Sequence, residues 1–378
     1  MASAPAPRVV SALFLLGALA LSACKGEEPK PAATEEPVED AGTKKNVDKK
    51  LAAAIAAAES AAPASAASAN AASGDGPPEM GVFAPGKADK LQPQGAPPKV
   101  EVFNEGSDPK TQLTYAPLAD DQKTTLQISV RLGPQSALPT IDFELLARTA
   151  GDKKDKKDDK KDKKDKKDDK KADAPPSPET PAGSFPVAIK IVSASTSKDQ
   201  PASLPKEISD KIAKLKGSEL RYALSPDGAA TEMGVGLPKD APTELIDVLR
   251  ALAEAISLNT VALPKKPVGV GAQWMVTDRS ASFGIGVVRY RAVKVDKIEG
   301  GKASLSYDVR EYAAKPDLSE GGQSVFIGRF DAQGHGTEQL VGALGQGSDV
   351  KLDLKALLGR QQGQPTQPLM VTLTSKGR

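Results

Sequence analysis

One cysteine, one histidine and one tryptophan are all that the 378 residues contain. A lone Cys24 cannot close an internal disulfide. A lone His335 cannot build a multi-histidine zinc site, and no second cysteine is available to join it. With aromatic residues at 4 % there is little to stack against nucleic acid bases. Phosphate loops are lacking too: Gly269-Val270-Gly271 and Gly284-Ile285-Gly286 have neither the Lys-Ser/Thr ending nor a strand-to-helix setting. No spaced acids of the calcium-loop kind occur in the part expected to fold. The sequence therefore offers no cofactor site and no metal site.

Nor does any apolar run approach the roughly 20 residues that a membrane-spanning helix needs. The longest, Val9 to Ala20, has 12 residues. It follows Arg8 and precedes the small residues Ser22 and Ala23, which is the three-part layout of an export signal over residues 1–23. Cys24 closes the run Leu21-Ser22-Ala23-Cys24. These four residues resemble the lipobox of Gram-negative bacterial lipoproteins. The resemblance implies that the leader is removed and that Cys24 is lipidated, with palmitate-type acyl chains. It implies the lipoprotein maturation and sorting machinery as partners, and a membrane anchor made of lipid alone. Two or three chains are needed for a firm tether, since each buried methylene contributes about 0.8 kcal/mol. Lys25 stands where an inner-membrane retention signal would carry Asp, so the resemblance further implies the outer membrane, with the soluble domain in the periplasm or at the cell surface.

From residue 24 to 98 the chain is mostly Ala, Pro, Glu, Lys, Ser and Gly, with Phe83 as its single aromatic. Such composition cannot bury enough apolar surface to offset the entropy of ordering. The expectation is a lipidated, disordered linker spanning about 45–50 Å as a flexible coil. A second low-complexity element lies at 152–171, where DKKDKKDDKK occurs twice in succession. Its 12 Lys and 8 Asp carry +4, against +2 for the whole chain. The basicity thus belongs to the repeat, and alternating signs cancel within a Debye length of about 10 Å. The repeat, with its Pro-rich continuation, is expected to be a disordered insertion over 151–183, and no nucleic acid is expected as a partner.

Every Phe, Tyr and Trp except Phe14 and Phe83 falls in the two remaining pieces, which the sequence joins into one β-rich body over 99–378. Apolar residues alternate at Leu126, Ile128, Val130, at Ile141, Phe143, Leu145, and at Phe185, Val187, Ile189, Ile191. The insertion lies between the last two runs, as an enlarged hairpin loop. Further strands are expected at 111–115, 219–224, 230–235, 272–278, 283–295, 302–312, 324–331, 350–354 and 368–373. A turn is expected at Ser225-Pro226-Asp227-Gly228. Leu245, Ile246, Val248, Leu249, Leu252 and Ile256 mark a helix starting near Pro242, with Asp247 and Arg250 off its apolar stripe. A shorter helix is expected at 206–215. The fold class is α+β: a mainly antiparallel β-sheet, flat or curved into a half-barrel, covered by one long helix.

Pro264 to Trp274 (PKKPVGVGAQW) leads from helix to strand. Over Leu220 to Ala313 the segment resembles uncharacterised exported lipoproteins, a likeness that assigns no activity. Trp274 is expected either to anchor the core or to face a ligand. His335, in Gln333-Gly334-His335-Gly336, is expected in an exposed hairpin turn. With Asp331 and a nucleophile such as Ser324 it forms the one thin hydrolase candidate. The leading expectation is a membrane-anchored, noncatalytic envelope lipoprotein, structural or binding a lipid or an envelope protein. The alternative is an envelope hydrolase with a site near His335.

Overall fold

The computed structural model describes residues 77–118, 120–133, 136–149, 180–198, 205–300, 302–320, 323–340, 346–363 and 365–377. Cys24, the leader, the linker up to residue 76 and the Lys/Asp repeat lie outside the described residues. From Pro78 onward the described chain belongs to one compact unit.

In chain order the elements are α1 (Lys87–Leu91), β1 (Lys99–Asn104), β2 (Gln122–Leu132), β3 (Ser136–Ala137), β4 (Ile141–Thr149), β5 (Phe185–Thr196), α2 (Lys206–Ala213), β6 (Glu219–Leu224) and β7 (Gly234–Gly236). A 3-10 turn, Thr243–Leu245, runs directly into α3 (Ile246–Asn259). There follow β8 (Gln273–Ser282), β9 (Ile285–Glu299), β10 (Lys302–Ala313), β11 (Asp317–Glu320), β12 (Gln323–Leu340), β13 (Gln346–Gly359) and β14 (Gln367–Gly377). All ladders between these strands are antiparallel, and the strand order is β1-β8-β9-β10-β12-β13-β14-β2-β4-β5-β6-β7, with β3 beside β2 and β11 beside β12.

Laid flat, a path of twelve strands would be about 50 Å wide, at 4.7–4.9 Å per strand. A helix is only about 10–12 Å across. Yet α3 touches β7 at one edge and also β2, β12, β13 and β14, while its side chains and C-terminal carbonyls bond β9 and β10. The sheet must therefore curl around the helix, the curved form of the expected α+β fold. Leu249, Leu252, Ala255, Ile256 and Leu258 of α3 are buried against the inward side chains of the sheet.

Several expected elements recur with small shifts. The alternation at 141–145 and 185–191 becomes β4 and β5, which pair antiparallel with Thr149 opposite Val187, so the Lys/Asp insertion does connect two hairpin partners. Gly228, at φ 80°, donates its N–H to the Ser225 carbonyl at 2.9 Å, completing the turn expected there. The segment 111–115 is not a strand. It makes one bridge, Thr111 to Val268, and Leu113 and Tyr115 fill the interior instead. Of 230–235 only the last two residues enter β7.

The body also begins before Lys99. Met80 to Phe83 form a strap: the Phe83 N–H donates to the Ala313 carbonyl at 2.9 Å, the Ala313 N–H to Gly81 at 2.8 Å, and the Phe330 N–H to Met80 at 3.0 Å. Phe83 and Ala88 are buried against Val288 and Ala314 on the outer face of β9–β10, beside Tyr290 and Tyr312. The linker expected to run to Pro98 is thus ordered over its last twenty or so residues. Its single aromatic supplies the apolar area that the average composition lacks, and the edge-on stacking of Phe83 on Tyr312, centroids 6.2 Å apart, adds to it.

Candidate functional site

The helix end and the inner sheet face share a buried ionic cluster. Along β9 the inward positions are Ile285, Val287, Arg289, Arg291, Val293 and Val295, so period-2 geometry sends two guanidinium groups into the core. Arg289, fully buried, donates from Nη2 to Glu254 Oε1 of α3 at 2.5 Å and from Nε to Glu311 Oε1 of β10 at 2.6 Å, and Nη1 reaches Ser257 Oγ at 3.1 Å. Burial opposes the Arg289 charge, but Glu311 and Glu254 outweigh it and raise its pKa further.

Arg291 donates to Asp278 Oδ2 of β8 at 2.6 Å and to the Thr260 carbonyl at 2.6 Å, with longer bonds to the Ser257 and Leu258 carbonyls. A helix leaves its last four carbonyls without partners inside the helix. Here a cation meets them at the negative end of the helix dipole. Asn259 and Thr260 bond back to the Ala255 and Ile256 carbonyls at 3.0 and 2.9 Å, and the Tyr307 hydroxyl donates to Asn259 Oδ1 at 3.2 Å. Tyr115 brackets Val261, donating to its carbonyl at 3.2 Å and accepting from its N–H at 3.1 Å.

Glu338 of β12 is buried, and among the described residues neither of its carboxyl oxygens has a hydrogen-bond partner. Burial pushes its pKa up to about 8, with the Arg291 charge pulling it part of the way back. Burial likewise raises Glu254, against the pull of Arg289. These shifts are large enough for acid–base chemistry near neutral pH. Access argues otherwise: Arg289 is 0 %, Glu311 2 %, Glu338 3 % and Glu254 6 % exposed, so the cluster fastens helix to sheet and presents nothing to a substrate.

The expected hydrolase constellation does not assemble. His335 is in the middle of β12, opposite Asp308 and Lys351, and not in a hairpin turn. The glycines on either side of it serve close approach. A Cβ on Gly336 would meet the Tyr307 ring at 2.4 Å, and one on Gly334 the Lys351 carbonyl oxygen at 2.3 Å. Asp331 lies four residues away on the same strand, a separation of about 13 Å at 3.2–3.4 Å per residue, out of hydrogen-bond reach. Ser324 is a further seven residues along the strand from Asp331. Trp274 is 1 % exposed and donates its indole N–H to the Ala262 carbonyl at 3.0 Å, so its ring packs in the core and its polar atom is used there. Among the described residues no group of three or more His, Cys, Asp and Glu side chains could hold a metal ion.

The other feature of note is an apolar cleft beside the first half of α3. Its walls are Ile128 and Val130 of β2, Ile141 and Phe143 of β4, Leu138 and Pro139 between them, and Val248 and Ala251 of α3; its cavity volume is about 40 Å³. Asp247 stands in the wall with Arg250 Nη1 at 3.2 Å from its Oδ1. Across it lies Phe283, from the tip of the β8–β9 hairpin. Sequence periodicity put Asp247 off the apolar stripe, and the structure buries it to 8 % exposure. Burial raises its pKa, countered by Arg250.

No protein-family model matches this chain, and no curated protein is similar to it beyond chance.

Proposed function

We propose that this protein is a lipid-anchored, noncatalytic component of a bacterial cell envelope, tethered through Cys24 and acting by binding. The observation that carries the tether is the position of the only cysteine, directly after a short apolar leader ending Leu21-Ser22-Ala23. Two structural facts favour binding over catalysis. The groups with the most perturbed protonation are sealed under α3, while the cleft beside α3 is lined by aliphatic and aromatic side chains. Among the described residues no helix is long and apolar enough to cross a membrane. The folded body begins at Pro78, about 50 residues after Cys24.

Mass spectrometry of the mature amino terminus tests the anchor. The expected product starts at Cys24 and carries diacylglycerol on sulfur, and Cys24→Ser moves the protein out of the membrane fraction. Recovery of unmodified Cys24 in a water-soluble protein overturns the proposal.

A further inference from the structure

We infer that the outer face at the ends of β12, β13 and β14 lies against a phospholipid bilayer, beside the point where the tether enters the body. The inference rests on the Cys24 anchor proposed above and names the surface that the anchor turns to the membrane. Among the described residues six large apolar side chains are exposed, and three of them, Met80 at 54 %, Met370 at 41 % and Leu357 at 37 %, meet at this corner. Apolar residues scattered singly over a surface are ordinary, but a group of them rimmed by polar side chains marks a contact face.

Strand alternation puts them there. Ala356 of β13 is buried and Leu369 of β14 packs on the core, which turns Leu357, Pro368 and Met370 outward. Leu357 is opposite Pro368 and diagonal to Met370. On β12 the register shifts between Ile327 and Arg329 while Ile327 and Phe330 stay buried, so the half-buried Phe326 and the exposed Arg329 both face outward. Arg329 is opposite Leu357, and Lys355, also exposed, is opposite Met370. Such side chains lay their aliphatic stems along apolar surface and carry the charge out to the level of the lipid phosphates. The acids across from this group are Asp331, opposite Lys355, and Asp317, opposite Phe326.

The tether leaves from the same corner. The Phe330 N–H donates to the Met80 carbonyl at 3.0 Å, so Met80 lies against β12, and the folded body begins just before it at Pro78. The chain that leads back to Cys24 therefore starts beside the exposed apolar group. A tethered body needs little affinity of its own to settle on the bilayer, because the anchor holds it there at high effective concentration. A small apolar group with flanking cations then suffices to choose which face turns inward, since interfacial attachment grows with buried apolar area and with charge.

The test uses the full chain, expressed with its leader and recovered with Cys24 lipidated, in vesicles of phosphatidylethanolamine and phosphatidylglycerol. Lipidation consumes the Cys24 thiol, so Leu357→Cys, Met370→Cys or Ser195→Cys, the last on the outer face of β5, supplies the single site for a nitroxide label. Labels at 357 and 370 are expected to lose most of their access to a water-soluble nickel chelate and to gain access to oxygen, while the label at 195 keeps its access to nickel. Adding Leu357→Asp to the Met370→Cys protein is expected to restore nickel access at 370. Equal access at all three positions, or protection at 370 unchanged by Leu357→Asp, overturns the inference. Mutual spin broadening at 357, the sign that a second copy covers this face, overturns it as well. A free thiol in the parent protein defeats the tether and this inference with it, whereas exposed labels on a lipidated chain defeat this inference and leave the tether standing.

Discussion

Arg289 of β9 and Glu254 of α3 meet at 2.5 Å with the arginine fully buried, one of several bonds that join the helix to the sheet. Glu311 shares the same guanidinium from β10, so three elements converge on a single side chain. Replacing two charges in water by this pair is not strongly stabilising in itself, because desolvation consumes most of the Coulombic gain. Removing one member is another matter.

Arg289→Ala leaves Glu254 and Glu311 buried without their cation. The expected cost is about 3–5 kcal/mol in chemical denaturation. The triple change Arg289→Met, Glu254→Leu, Glu311→Leu is expected to recover most of that loss, since no buried charge is then stranded. If the single variant melts like the parent, the cluster does not fasten the helix.

Stability should fall as pH rises through neutrality. Glu338 has its folded-state value raised to about 8, and Glu254 is raised in the same direction, against 4.5 unfolded. Between those limits the folded chain holds more protons than the unfolded chain, so its advantage is complete below about 4.5 and is lost by about 8. Each such carboxyl contributes a slope of up to about 1.4 kcal/mol per pH unit. On the acid side Glu105, held at about 2 by Lys110 and Lys266 at 2.6 Å each, works oppositely, its contribution being lost as pH falls from 4.5 towards 2. Thermal unfolding across pH 3–9 should show the maximum near pH 4.5–5, and Glu338→Gln should flatten the alkaline limb. A parent protein whose melting temperature rises from pH 5 to pH 8 would contradict this.

Gly81 has φ of 71°, and a Cβ there would lie 1.6 Å from the Phe330 carbonyl oxygen. Gly81→Val should detach the strap, exposing Phe83 at a cost on the order of 2 kcal/mol for its lost burial. Limited proteolysis should then cut within 78–91 while the sheet persists; protection equal to the parent's would mean that the strap does not depend on this approach.

Deleting residues 152–171 should leave the fold intact. The β4–β5 connection shortens from 35 residues to 15, a change in closure entropy worth about 1 kcal/mol or less, in the stabilising direction. A loss of several kcal/mol on deletion would show that the repeat packs on the body.

Much of the interior was legible along the chain. The alternation that exposed β4 and β5 also runs through β9 and β10, where Arg289, Arg291, Tyr307 and Glu311 occupy the same parity as Val287, Val293, Leu305 and Val309. A strict reading of that parity would have flagged the buried cluster. Glu254 carried a weaker signal, one acid within the apolar run Ala253 to Ile256. The glycines around His335 misled because a turn and a close backbone approach demand the same residue, and only the positions of Tyr307 and Lys351 distinguish them.

Local pattern by itself determined most of the long strands, the long helix at 246–259, the hairpin carrying the Lys/Asp insertion and the solitary cysteine behind an apolar leader, because each depends on neighbours a few residues apart. The tertiary structure decided where β12 runs straight through its glycines, which charges are buried, and that Phe283, Val248 and Ile128 line one cleft. Those outcomes depend on the curl of the sheet, which brings residues over a hundred positions apart onto the same helix and has no signature in any short stretch of sequence.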